Sequence, residues 1–234
     1  MESSESIPIA SWDASFPRLF EIYALSNRVS PGNWFQLPNV WRGLVDNSGT
    51  LQRIEAELQQ IDAASWVVFK RKAAQRVHLI DKWGYSRDLF DCLYEIKGYS
   101  YLTSQGYEQV RFLPEQTKVK TPDLRAHAAL STIVMEVKTV NESNKQKHYF
   151  EIPGEQRIAL ETEYHLSRAL KAKLNSAIQV ARTQLLAVQD PTVIRRIVYL
   201  VIRPDFHIEA HEELEIFLQT QSTSEIEVIH HLLG

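Results

Sequence analysis

Apolar residues recur every three or four positions along three segments of this chain, which is the spacing of an amphipathic helix. The spacing predicts helices over residues 51–61, 86–105 and 161–188. A further helix, over residues 63–80, is predicted to carry a group of basic side chains. Gly106 directly follows the helix over residues 86–105, and glycine is typical of a helix C-terminus. Helices therefore dominate the prediction for the first hundred residues.

Shorter apolar segments rich in β-branched residues come after Gly106, and they predict strands. A tight turn is predicted near Leu130-Ser131. The predicted strands are residues 107–113, one strand within residues 118–129, residues 131–140 and residues 196–202. The order of elements is therefore helix, three strands, helix and strand, which predicts an α/β fold class.

Charged residues interrupt the apolar third strand. Glu136 and Lys138 lie two positions apart, so their side chains point to the same face of the strand. Asp123 lies just before the second strand, within Thr121-Pro122-Asp123-Leu124. A charged pair on such a strand is costly to bury unless something satisfies or uses it. Two carboxylates and a lysine suit a divalent-metal site that hydrolyses phosphodiesters. The alternative is an ion-pair network without a metal.

Pro122-Asp123, an interval of twelve residues and then Glu136-Val137-Lys138 resemble the motif of the PD-(D/E)XK nuclease superfamily. The resemblance spans residues 86–202, and the predicted element order is similar to the family's restriction-endonuclease-like αβββαβ core. It implies a mixed central sheet flanked by helices. It also implies Mg²⁺-dependent hydrolysis of DNA, with Mn²⁺ as a substitute metal. Asp123 and Glu136 would hold the metal, and Lys138 would assist the attacking water.

The resemblance further implies an acidic residue on the first helix of the core, which completes the metal shell. Glu95 is the best match, because it lies seven residues before Leu102 and eleven before Gly106. Asp91, one turn earlier, is the competing candidate. Both side chains could instead be solvated carboxylates on the helix surface.

Length and composition limit the classes of protein that the chain can belong to. Its 234 residues, of which 44% are hydrophobic, are enough to bury a sizeable core. The single cysteine, Cys92, argues against disulfides and predicts a reducing, cytoplasmic compartment. No apolar run reaches the length of a transmembrane helix, so we expect no membrane partner.

The net charge is −3, but the charges are unevenly distributed. Seven of the 29 acidic residues follow Arg203, whereas none of the 26 lysines and arginines does, so residues 1–203 are mildly basic. Basic side chains can contact phosphates, which supply most of the affinity for nucleic acids, although a solvated helix face fits equally well. The candidate nucleic-acid-binding residues are Lys70, Arg71, Lys72 and Arg76 in the helical region, and Lys145 and Lys147 in the irregular stretch after the third strand.

These patterns divide the chain into a mostly helical N-terminal extension, residues 1–85, and a nuclease-like core with an acidic C-terminal tail, residues 86–234. The favoured function is an endonucleolytic, Mg²⁺-dependent deoxyribonuclease. The alternative is a module derived from a nuclease fold that binds nucleic acid or protein without cutting. The length permits a homodimer, or a protein partner that supplies recognition.

Overall fold

The computed structural model describes residues 12–29, 50–77, 87–115, 120–141, 166–203 and 211–233. Its helices are α1 (Trp12–Ser15), α2 (Pro17–Val29), α3 (Thr50–Gln59), α4 (Ala63–Arg76), α5 (Arg87–Ser104), α6 (Arg168–Leu186) and α7 (His211–Gln219). Its strands are β1 (Glu108–Phe112), β2 (Leu124–Ala128), β3 (Ser131–Asn141), β4 (Val193–Arg203) and β5 (Glu227–Leu232). The predicted α/β class is therefore confirmed. The restriction-endonuclease-like fold stays a prediction.

The chain forms two compact units. The first comprises Met1–Gly106 and Val110–Glu115, and the second comprises Tyr107–Gln109 and Gln116–Gly234, so that β1 is divided between them. Every element described within residues 12–77 is a helix. The boundary predicted between residues 85 and 86 lies outside the described residues. Among the described residues, no helix is both long and apolar enough to cross a membrane.

Two carboxylates fix helix ends within the first unit. The buried side chain of Glu55 accepts hydrogen bonds from the backbone N–H groups of Arg18 and Leu19, each at 3.0 Å, in the first turn of α2. Asp62 is the N-cap of α4 and accepts two amide hydrogen bonds, at 3.0 and 3.2 Å. The Tyr99 hydroxyl also donates to Asp62, at 3.1 Å. These carboxylates satisfy amides that a helix N-terminus leaves without partners.

The five strands form one mixed sheet in the order β1-β2-β3-β4-β5. Strand β2 pairs with β3 antiparallel, whereas β4 is parallel to both β3 and β5. The turn between β2 and β3 contains Ala129, whose φ of 53° lies in the left-handed region. A bulge shifts the β3–β4 register, since Thr132 pairs with Val193 but Ile133 pairs with Arg195. The bulge turns Arg195 to the same face as Ile133.

Helix α6 packs on one face of the sheet, which we call the α6 face. Alternation along β3 places Val134, Glu136, Lys138 and Val140 on this face, and it places Met135 on the other. The buried apolar cluster of the α6 face contains Val134, Val140, Leu166, Leu170, Leu174, Ile178, Ala181, Leu185, Val193, Val198, Leu200, Ile202, Leu214, Leu218 and Ile226. Glu136 and Lys138 therefore lie on this face between the buried apolar side chains of Val134 and Val140.

The C-terminal region, which is predicted to be an acidic tail, contains helix α7 and strand β5. Leu214 and Leu218, one helical turn apart, are buried against the sheet cluster, and Val228 packs beside them on β5. Glu212 and Glu215 are exposed on this short helix, whereas Leu214 and Leu218 are buried and Phe217 packs against the cluster, so the acidic composition obscured a short apolar stripe.

Candidate active site

The β2–β3 hairpin brings Asp123 next to Glu136. Leu124 pairs with Met135, so Asp123, one residue before Leu124, lies beside Glu136, one residue after Met135. Oδ2 of Asp123 accepts a hydrogen bond of 3.0 Å from the backbone N–H of Val137. This bond holds the carboxylate at the point where the β2–β3 ladder begins. The preceding residue, Pro122, has no backbone N–H and so cannot donate a hydrogen bond to a neighbouring strand, which favours an end of the strand pairing at this point.

Glu136 and Lys138 form a close ion pair on β3. Nζ of Lys138 lies 2.5 Å from Oε1 of Glu136, as expected for side chains two positions apart on one face of a strand. The Glu136 side chain is 2% exposed, whereas that of Lys138 is 25% exposed. Their neighbours on β4 are the fully buried Val198 and Leu200. A carboxylate in apolar surroundings is expensive to desolvate, and the adjacent ammonium offsets part of that cost.

The donor set fits a hard divalent cation. Mg²⁺ prefers oxygen ligands and keeps several of its waters, so one or two carboxylates plus a substrate phosphate are sufficient. Asp123 and Glu136 supply two carboxylates from neighbouring strands. Among the described residues, no group of three or more His, Cys, Asp or Glu side chains is placed to hold a metal. Two carboxylates are hard oxygen ligands of the kind that Mg²⁺ accepts, whereas structural zinc is typically bound by Cys and His.

Glu95, predicted to complete the metal shell, belongs to the first unit. It lies on α5, and Oε2 of its side chain accepts a hydrogen bond of 2.8 Å from Nζ of Lys72 on α4. Both side chains are almost buried, at 11% and 10% exposure. Lys72 also lies 3.6 Å from Glu115, which pairs with Arg76 at 2.6 Å. Glu95 therefore contributes to a network that ties α4 to α5, and its role at a metal stays a prediction.

The basic residues predicted to bind nucleic acid are largely engaged within the first unit. Lys70 pairs with Glu21 at 2.6 Å, and Lys72 and Arg76 belong to the network around Glu115. Arg71 is exposed. Lys145 and Lys147 lie outside the described residues. A DNA contact by Lys70, Lys72 or Arg76 would have to compete with these ion pairs.

The sequence analysis did not single out Arg125, which the fold brings to the α6 face. Arg125 pairs in register with Val134, and its guanidinium lies 2.8 Å from Oδ2 of Asp190. Hydrogen bonds from Thr192, with the nearby charge of Arg125, hold the pKa of Asp190 below its ordinary value. The alternation of side chains along β2 predicts that Arg125 and Asp123 point to the same face. Whether Glu136 lies on that face too depends on the register between β2 and β3, which the sequence does not show.

No protein-family model matches this chain, and no curated protein is similar enough to match it.

Proposed function

We propose that this chain is a metal-dependent nuclease that hydrolyses phosphodiester bonds within DNA. The observation that carries the proposal is the β2–β3 hairpin, where the Asp123 and Glu136 carboxylates lie beside one another and Lys138 contacts Glu136 at 2.5 Å. A carboxylate that is 2% exposed and charged is costly for stability. Ion pairs with one buried carboxylate are found at catalytic sites as well as in structural networks.

Each residue has a distinct task in this proposal. Asp123 and Glu136 would hold Mg²⁺, which supplies neutralising charge and lowers the pKa of a coordinated water. Val137 holds the Asp123 carboxylate in place through its backbone N–H, which donates to Oδ2. Lys138 has three donor hydrogens and a partly exposed side chain, so it can orient the attacking water while retaining Glu136 as an anchor.

The activity is tested by incubating wild type with supercoiled plasmid, linear duplex and branched DNA, in Mg²⁺ or Mn²⁺. We expect cutting that falls by at least about 100-fold in the near-isosteric variants D123N, E136Q and K138M, since each removes a group needed in the transition state. E227Q is the matched control, because Glu227 is also a strand carboxylate paired with a cation, here Arg195 at 2.5 Å.

Metal binding is measured separately, by calorimetric titration with Mn²⁺. If the wild type binds Mn²⁺ and D123N does not, but no substrate is cut, the result would favour the alternative of a module that binds nucleic acid or protein without cutting. Absence of both cutting and metal binding in the wild type would refute the proposal and leave Glu136–Lys138 as a structural ion pair.

A further inference from the structure

Strand β2 extends the candidate site along the α6 face. The pairing of Arg125 with Val134, and of His127 with Thr132, places both β2 side chains on the face that carries Glu136. Asp123 is followed two positions later by Arg125, and two residues of a strand span about 6.8 Å. Arg125 is therefore the first charged side chain beyond the paired carboxylates along this strand.

Arg125 is partly exposed and does not use all of its hydrogen-bond donors. Its side chain is 38% exposed, and its ion-pair partner Asp190 lies in the connection before β4. Its guanidinium also donates to Oγ1 of Thr132, at 3.2 Å. Among the described residues, no acceptor lies within hydrogen-bonding distance of its Nε, although that atom is shielded from solvent. The five-donor fork of Arg125 is thus incompletely used.

Asp190 accepts one hydrogen bond from this guanidinium, whereas a phosphate could accept two. Ion pairs between exposed side chains contribute little, because water and salt screen them. An arginine can bind a phosphate through two parallel N–H···O bonds, which are short and charge-assisted. In addition, Asp123 and Glu136 repel a polyanion, so a cation beside them offsets that repulsion together with Lys138.

We infer that Arg125 binds the phosphodiester backbone of the substrate one phosphate away from the bond that is cut, exchanging Asp190 for the phosphate. This inference rests on the proposed nuclease function and identifies the substrate-binding side of its site. The ligand is a polynucleotide rather than a mononucleotide, because it has to reach from the carboxylates of Asp123 and Glu136 to Arg125.

The second unit contains a matched control for each residue. Arg195 has 35% of its side chain exposed and pairs with the strand carboxylate Glu227, closely resembling Arg125 and Asp190. However, Arg195 pairs in register with Ile133 and so lies on the opposite face of the sheet from Glu136. R125Q is therefore compared with R195Q, and D190N with E227Q. Each comparison changes the same charge on the two faces.

The experiment measures binding of a fluorescently labelled 20-base-pair duplex by anisotropy, in EDTA so that no metal binds and no cutting occurs. We expect R125Q to weaken binding and to lower the slope of log K against log salt by about 0.9, the value for one lost phosphate contact. R125K should keep most of that slope, and R195Q should leave it unchanged. D190N should tighten binding more than E227Q does, because it releases Arg125.

Three results of the binding experiment would overturn the inference: equal effects of R125Q and R195Q, an unchanged slope in R125Q, or no binding of the duplex by wild type. If the wild type cuts DNA and R125Q cuts it with the same kcat/KM, the inference about Arg125 would also be refuted, whereas the nuclease proposal would stand. Conversely, if the wild type binds the duplex but never cuts it, and R125Q loses that binding, the result would support the backbone contact and favour the non-cutting module over the nuclease. Thermal unfolding of each variant shows whether a lost contact reflects lost folding.

Discussion

Replacing the Glu136–Lys138 pair with apolar residues separates a catalytic from a structural role. In the variant E136L/K138M, leucine and methionine fill similar volumes next to Val198 and Leu200, which are fully buried. Buried ion pairs replaced by well-packed apolar residues are commonly neutral or more stable by about 1–4 kcal/mol, because two desolvated charges are removed. We therefore expect the double variant to be at least as stable as wild type and to bind no metal.

The single variant K138M should behave differently. It removes the ammonium that lies 2.5 Å from a carboxylate with 2% exposure. Breaking a fully buried pair costs about 3–5 kcal/mol, and an exposed pair contributes at most about 1 kcal/mol. Since Lys138 is a quarter exposed, we expect a loss of about 2 kcal/mol, which the second substitution in E136L/K138M reverses.

The assay has to report on the second unit. All five tryptophans precede residue 84, in the first unit, so their fluorescence does not follow β3. Amide hydrogen exchange of peptides from β3 and β4, read by mass spectrometry, gives the local free energy of opening. Urea unfolding followed by far-ultraviolet circular dichroism gives the global value. A double variant less stable than wild type by more than about 1 kcal/mol would refute the reasoning and indicate a structural ion pair.

Three further predictions concern stability. E55A should lower the free energy of unfolding by about 1–3 kcal/mol, because two amides at the start of α2 lose their acceptor. Urea titration monitored by tryptophan fluorescence measures this loss. An unchanged free energy of unfolding would contradict the role of Glu55 as a cap. D62A should lower the free energy of unfolding by about 1 kcal/mol, because α4 loses its N-cap. Thermal unfolding should show a lower Tm, and an unchanged Tm would contradict the role of the cap. Burial lowers the pKa of His230 from its ordinary value of 6.5; the charge of His211 adds to this effect, and that of Glu215 opposes it. The contribution of His230 to stability should therefore be complete above pH 6.5. It should be lost as the pH falls from 6.5 towards the lowered pKa. Unfolding curves between pH 5 and 8 check this, and H230Q should show a weaker dependence on pH.

The candidate site was predictable from sequence because it depends on local geometry. Glu136 and Lys138 share a face through the two-residue period of a strand, and their contact confirms that prediction. Gly106, predicted to end a helix, has a φ of 75° just after α5. Such features involve residues within a few positions of one another. Their geometry therefore follows from the backbone alone.

Contacts between distant residues were not predictable. Lys72 and Glu95 are 23 residues apart, and Arg125 and Asp190 are 65 apart, so no spacing rule links them. The face that Arg125 occupies depends on the β2–β3 register, and a slip of one residue would move it to the other side of the sheet. The bulge that separates Val193 from Arg195 likewise has no signal in the sequence.

The β2–β3 hairpin also affects the order of events in folding. Asp123, Glu136 and Lys138 fall within one short stretch of chain, and hairpins form in about 1–10 μs. The parallel pairing of β3 with β4 instead joins Thr132 to Val193, which requires a large loop to close. The residues of the site can thus reach their relative positions early, and the arrival of β4 sets the pace at which the finished sheet appears.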